Sequence, residues 1–211
     1  MAVADERPKR SAWVRSFALS LGLLAAASML ARITSGFIAM RWPDRPTPPD
    51  LLFEILPLVQ WTQYLTDLAL FAEVGLIFWY ISRGRWRLFP QMAAMFAIMH
   101  LTRAVITVLT PLGGPLGNGA VYGLIHVQQN GQFPSGHVAG AFILYLFVDA
   151  SEAPRLKVVM LALAVVECVS LILSHGHFAI DIVGGLMLAY IVYHEFTKGT
   201  LFNWLKPALT I

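Results

Sequence analysis

Charged residues are scarce in this sequence. Asp, Glu, Lys and Arg make up 13% of its 211 residues, apolar residues make up 57%, and the mean hydropathy is +0.66. Because soluble domains carry about 25% charged residues, this composition excludes an ordinary soluble protein and predicts an integral membrane protein. The single cysteine, Cys168, excludes an intramolecular disulfide and indicates nothing about the redox compartment.

Apolar runs of membrane-spanning length recur along the chain. We predict one all-α domain over residues 1–211, an integral membrane bundle of six transmembrane helices, of which the fourth is short. Short connections leave no room for a separate soluble domain. The predicted spans are Phe17–Met40, Thr62–Ile81, Phe89–Leu109, Val138–Asp149, Val158–Ser174 and Phe178–Phe196.

The net charge of +3 is distributed along the chain rather than clustered, so no nucleic-acid partner is expected. Most basic residues flank one side of the six-span layout, and the positive-inside rule then places both termini, including an N-terminal tail over residues 1–16, in the cytoplasm. The compact size favours a bacterial inner membrane, and a homo-oligomer is left open. These basic residues are Arg7, Lys9, Arg10, Arg15, Arg83, Arg85, Arg87, Arg155, Lys157, Lys198 and Lys206, whereas Arg32, Arg41, Arg45 and Arg103 lie on or near the other side.

Two connections on the predicted outer side are unusual. Residues 41–50 contain four prolines, and the apolar segment 51–61 that follows, interrupted by Glu54 and Pro57, is interpreted either as an interfacial lid or as a simple surface loop. Residues 111–133 contain six glycines and no Asp, Glu, Lys or Arg. They are interpreted either as part of a pocket or as an inert linker.

Two short motifs carry most of the chemical information. His177 and Asp181 are four residues apart, so on a helix the carboxylate can hold one imidazole nitrogen and leave the other free to attack phosphorus. In Ser135-Gly136-His137, the glycine allows close backbone approach to a phosphate, the serine can donate to its oxygens, and His137 can protonate a departing oxygen. In a membrane protein this combination predicts phosphoryl transfer on a lipid.

Arg103 is the third element of the predicted site. It lies in the third span with Thr107 and Thr110 one and two turns later, and an arginine within a membrane needs an anion or a carboxylate. Its guanidinium can grip two phosphate oxygens, with an ion pair to Asp67 or Glu73 as the structural alternative. The remaining ionisable residues predicted within or next to spans are His100 and Glu167.

Aromatic side chains near the outer surface have two interpretations. The first is the usual interfacial belt, and the second is a cage in which some of them, with Glu54, bind a quaternary ammonium headgroup. The residues concerned are Trp42, Phe53, Trp61, Tyr64 and Phe133.

The segments Phe133–His137 and His177–Asp181 resemble the type 2 phosphatidic acid phosphatase superfamily. The chain is most similar to its sphingomyelin synthase branch, through Pro48–Phe53, Arg85–Arg87 and Arg103–Pro111. The resemblance implies that a phosphohistidine forms and passes the headgroup to ceramide. It also implies the roles: His177 as nucleophile, Asp181 as its orienter, and His137 as the acid, with phospholipid and lipid-alcohol substrates and no metal or other cofactor.

Departures from the superfamily pattern leave alternatives open. No phosphatase-type lysine motif is found, and Leu171 stands where phosphatases carry an arginine before the last histidine, yet Pro134 is typical of phosphatases. A lipid phosphate phosphatase or a phospholipase C-like hydrolase therefore remains an alternative. Less favoured are a haem- or metal-binding protein using His100, His137 and His177, and a transporter built around Asp67, Glu73 and Arg103.

Overall fold

The structure, a computed structural model, describes residues 10–118, 120–124, 127–128 and 130–209. Helices dominate it, and the described part contains a single two-stranded hairpin and a short 3₁₀ turn at Trp86–Leu88. The helices are α1 Arg10–Arg41, α2 Leu51–Ile55, α3 Thr62–Ser82, α4 Phe89–Leu109, α5 Gly136–Phe147, α6 Pro154–Leu173, α7 Ala179–Thr197 and α8 Lys206–Leu209. The hairpin pairs β1 (Val121–Tyr122) antiparallel with β2 (Val127–Gln128).

Within the part of the chain that the structure describes, five helices are long and apolar enough to cross a membrane: α1, α3, α4, α6 and α7. This confirms an all-α, multi-pass membrane bundle. The predicted fourth span corresponds to α5, which has 12 residues and is about 18 Å long, against a hydrocarbon core of about 30 Å. The count of six spans and the cytoplasmic termini therefore stay predictions.

Helix α5 occupies the centre of the bundle. It packs against α3, α4, α6 and α7, and its apolar side chains contribute to all three buried clusters, for example through Ile143, Leu144 and Val138. A helix surrounded by protein on every side is apolar all round. This packing places the N-terminus of α5, and with it His137, in the middle of the molecule.

Outer helices pair around this centre. Helix α1 lies along α4, and α3 lies along α6. Many large apolar side chains on these helices and on α7 are exposed, as expected for a surface that faces lipid. Examples are Met29, Leu68, Phe71, Val105, Val165, Val169 and Met187.

The Pro-rich connection leads into α2, which covers only the first half of the apolar segment 51–61. Asp50 caps α2 by accepting a hydrogen bond from the Leu52 N–H at 2.8 Å. Its other oxygen accepts from the N–H of Ala179, the first residue of α7. Phe53 stacks on His175 with ring centroids 4.0 Å apart. The connection is thereby fastened beside the start of α7, while its role as a lid stays a prediction.

Candidate active site

A cavity of about 660 Å³ opens between α1, α3, α4 and α5. Five of the eight predicted site residues line it: Arg103, Thr107, Gly136, His137 and His177. The ring centroids of the two histidines are 6.3 Å apart. The two histidine motifs, about forty residues apart in sequence, therefore share one cavity.

His177 sits directly before α7 and is held by Asp181 in the first turn of that helix. Its Nδ1 lies 3.1 Å from Asp181 Oδ2, and the same oxygen accepts the Phe178 backbone N–H at 3.0 Å. The carboxylate is fully buried, with 0% of its side chain exposed. An Nδ1–H held in this way leaves Nε2 as the lone pair available for attack.

The environment of His177 favours the neutral imidazole. Burial is the main effect and lowers the pKa of His177, although the hydrogen bond and charge of Asp181 act in the opposite direction. Because only the neutral ring is a nucleophile, a lowered pKa keeps His177 reactive at physiological pH.

A second histidine–carboxylate pair faces the first. His137 Nε2 lies 3.4 Å from Asp67 Oδ1, and Asp67 is 3% exposed. The other oxygen of Asp67 accepts the backbone N–H of Leu124, so a loop and a helix both fix the carboxylate. The sequence indicated Asp67 as a candidate, but as an ion-pair partner of Arg103 and not of His137. Its only sequence signal was an ionisable residue within a span.

Arg103 makes neither of the ion pairs considered from the sequence. Its Nε donates to the Pro134 carbonyl at 2.8 Å and its Nη2 to the Gly131 carbonyl at 2.9 Å. Among the described residues nothing engages Nη1, which leaves donors for a ligand in the cavity. Arg103 therefore holds the loop before α5 in place while lining the cavity.

Gly136 makes this close approach of Arg103 possible. A Cβ atom at position 136 would lie 3.0 Å from Arg103 Nε and 3.2 Å from its Cζ. No hydrogen bond from the backbone N–H of Gly136 or His137 is found within the described chain, as is usual for the first turn of a helix. The guanidinium and the start of α5 together form a positively polarised wall suited to a phosphate.

The remaining predicted residues lie beside the cavity in different ways. Thr107 lines it, and its hydroxyl donates to the Arg103 and Phe133 carbonyls at 2.8 and 3.2 Å. Ser135 is buried, caps α5 by accepting the Val138 N–H at 3.4 Å, and is absent from the cavity wall. Thr110 donates to the Ile106 carbonyl of its own helix and lines a separate cavity. Direct substrate contacts by Ser135 and Thr110 stay predictions.

The two motifs are held together by close packing of α7 against the Ser135 turn. The Ser135 N–H donates to the Asp181 carbonyl at 2.9 Å. At Gly185, one turn further along α7, a Cβ atom would lie 2.8 Å from the Ser135 carbonyl oxygen. Glycine at this position therefore allows His177 and His137 to approach each other.

Of the other ionisable residues considered from the sequence, His100 lines the cavity, whereas Glu73 and Glu167 do not. His100 lines the cavity with its ring 4.7 Å from that of Phe96. Glu73 and Glu167 are fully buried, and in the described structure their carboxyl oxygens have no hydrogen-bond partner. None of the five aromatic residues considered for an ammonium cage lines this cavity. Two of them, Trp42 and Phe133, line a separate cavity, and the cage stays a prediction.

Comparison with known proteins shows what this region of the chain resembles. Residues 133–198, which include both histidine motifs and Asp181, match the family model described as PAP2 superfamily C-terminal. The resemblance to this superfamily is confirmed. The chain is also 24% identical over 196 aligned residues to phosphatidylcholine:ceramide cholinephosphotransferase 1 of Caenorhabditis elegans. The alignment covers 76% of this chain and 42% of that relative, so the chain spans less than half of the relative's length.

The family model covers only part of the chain. The match begins at Phe133 and ends at Lys198. It therefore omits Asp67 and Arg103, whose positions relative to the histidines come from the structure alone.

Proposed function

We propose that this protein is a membrane phosphotransferase that moves a phospho-headgroup from a glycerophospholipid to ceramide or a similar lipid alcohol. The observation that carries the proposal is the facing pair of histidines, 6.3 Å apart and each next to its own buried carboxylate. One pair supplies a nucleophile and the other an acid, as a double displacement requires.

In the first half-reaction, His177 Nε2 attacks the phosphorus of the donor. A nitrogen–phosphorus bond forms, and the bond from phosphorus to the diacylglycerol oxygen breaks. His137 gives its proton to the departing oxygen, so diacylglycerol leaves neutral. Asp181 stabilises the positive charge that develops on the His177 ring, while Arg103 and the N–H groups of Gly136 and His137 bind the phosphoryl oxygens.

In the second half-reaction, the hydroxyl of the lipid alcohol attacks the phosphorus of the phosphohistidine. His137, now neutral and held by Asp67, takes the hydroxyl proton, and the nitrogen–phosphorus bond breaks. The product is a phospho-lipid alcohol, and both histidines return to their starting protonation states. The same residue serves first as acid and then as base.

Hydrolysis is the second candidate. The Pro134 that precedes Ser135-Gly136-His137 is typical of phosphatases, and water in place of the lipid alcohol would make the protein a lipid phosphatase or a phospholipase C-like enzyme. The residues and the first half-reaction are the same in both cases.

The proposed site lies at the non-cytoplasmic face of the membrane. His137 begins α5 and His177 precedes α7, whereas basic residues such as Arg85, Arg155 and Lys198 flank the opposite ends of the helices. The positive-inside rule supports this orientation. It also supports six spans with both termini in the cytoplasm.

Product analysis distinguishes these candidates. The purified protein in detergent is given a panel of phospholipids with and without ceramide, and all lipid products are identified by mass spectrometry. A phospho-ceramide formed together with diacylglycerol is expected. Diacylglycerol with a free phospho-headgroup, unaffected by ceramide, would establish the hydrolase instead. His177→Ala should abolish either activity, and a few per cent of residual turnover would contradict the assignment of the nucleophile.

A further inference from the structure

A second arginine enters the cavity from α1. Arg32 lines the cavity together with Ser35, Gly36 and Ala39, and positions i, i+3, i+4 and i+7 share one face of a helix. It lies nine residues before the end of α1, about 13 Å along the helix axis. Throughout the described structure no carboxylate or other partner engages it. A charged side chain within a membrane span is costly and is a functional candidate by default.

The described cavity wall carries two arginines and no acidic side chain. The carboxylates of Asp67 and Asp181 are buried behind the histidines, with 3% and 0% exposure. The sequence of the loop 111–133 contains no acidic residue at all. The formal charge of the described lining residues is therefore positive.

The cavity also offers few groups that bind an ammonium ion. Phe96 and Tyr122 are the aromatic side chains on the described wall, and the Tyr122 hydroxyl is engaged with Ser174 and Thr66. Recognition of a quaternary ammonium uses a cage of several aromatic faces. A phosphocholine or phosphoethanolamine headgroup would bring its cation next to Arg32 or Arg103 without such a cage.

The neutral polar lining suits hydroxyl groups instead. Gln132 lines the cavity, is 1% exposed, and has no hydrogen-bond partner for its side-chain carbonyl oxygen in the described structure. Ser35 lies on the α1 side of the same cavity. A buried acceptor without a partner is unfavourable unless a ligand or water donates to it, and a headgroup hydroxyl is such a donor.

We infer that the site selects a phospholipid donor whose headgroup is anionic overall and bears hydroxyls rather than an ammonium group. Arg103 binds the reacting phosphate, Arg32 adds a second positive charge, and Gln132 accepts from a headgroup hydroxyl. This inference rests on the proposed function, because it concerns the donor of that reaction. It separates this chain from its aligned relative, whose name specifies phosphatidylcholine.

The test compares phosphatidylglycerol with phosphatidylcholine of matched acyl chains, each at low mole fraction in nonionic detergent micelles so that the micelle charge hardly changes. The ratio of kcat/KM for the two donors is measured for the wild type, Arg32→Gln and Arg87→Gln. Arg87 is an exposed arginine outside the cavity, so its variant removes the same charge elsewhere. Binding of both lipids to the non-reactive His177→Ala variant is measured in parallel.

We expect the wild type to favour phosphatidylglycerol by about tenfold or more, since the two arginines of the wall attract a net negative headgroup. Arg32→Gln should reduce this preference several-fold, while Arg87→Gln keeps it. A wild-type preference for phosphatidylcholine, or equal loss in both arginine variants, overturns the inference. If no lipid is turned over but His177→Ala still binds phosphatidylglycerol selectively, the proposed function fails and the anionic selectivity stands. Absence of both turnover and selective binding overturns both.

Discussion

Replacing Asp67 by Asn tests the least expected contact of the site. The substitution keeps the size of the side chain and one oxygen that can accept the Leu124 N–H, but it removes the negative charge 3.4 Å from His137 Nε2. His137 then loses the group that stabilises its protonated, acidic form. The proposed mechanism needs that form whenever diacylglycerol departs.

The size of the effect follows from the geometry. Two unit charges 3.4 Å apart interact by about 5 kcal/mol at an effective dielectric constant of about 20. The His137 side chain is 24% exposed, and solvent screening reduces this to roughly 3 kcal/mol. Since each 1.36 kcal/mol is a factor of ten in rate, we expect kcat to fall about 100-fold or somewhat more.

A substrate with an activated leaving group isolates the role of the Asp67–His137 pair as the general acid. A p-nitrophenyl phosphodiester releases a weakly basic phenolate that needs no proton from His137. We expect the first half-reaction of Asp67→Asn, measured as release of p-nitrophenol in the first turnover, to be nearly normal, while the variant remains about 100-fold slow on the natural lipid. The rates are measured in the same detergent, with thermal unfolding recorded to show that the variant is folded.

Glu73→Gln is the control, because it makes the same change from acid to amide at another buried position on α3 that contacts neither histidine. It should leave both rates within about threefold. If Asp67→Asn slows both substrates equally, the carboxylate supports the fold and not the acid. If it slows neither, the Asp67–His137 pair has no part in catalysis.

Three further predictions concern Asp181, His177 and Gly136. Asp181→Asn should lower kcat by about 10³- to 10⁴-fold, as for other orienting carboxylates; near-normal turnover would make the pair with His177 structural. Because burial lowers the pKa of His177 and protonation removes its nucleophilic lone pair, the rise of kcat/KM with pH at the acidic side should be centred at a value below the usual 6.5 or so. A rise of kcat/KM with pH that is centred above neutral pH would contradict the lowered pKa of His177. Gly136→Ala places a Cβ 3.0 Å from Arg103 Nε and should cost about tenfold or more in kcat/KM, while Gly22→Ala, with nothing within 4 Å, should not; equal effects would refute a tight fit at Gly136.

The sequence alone determined the features that depend on neighbours along the chain. Long apolar runs specify membrane helices because every backbone polar group must be satisfied within the segment. The spacing of His177 and Asp181 specifies their contact because four residues make about one helical turn. The five long helices and this pair were accordingly predictable.

Tertiary structure decided the contacts between segments far apart in sequence. Asp67 and His137 are seventy residues apart, and their pairing depends on how α3 lies against α5, which no local pattern encodes. The alternative interpretation of Arg103, an ion pair with a carboxylate, is replaced by hydrogen bonds to two loop carbonyls, because the turn before α5 brings them within reach. Helix α5 is shorter than a typical span, since protein rather than lipid surrounds it. Periodicity fixes which face of a helix is apolar, whereas side-chain packing between helices fixes which polar groups meet.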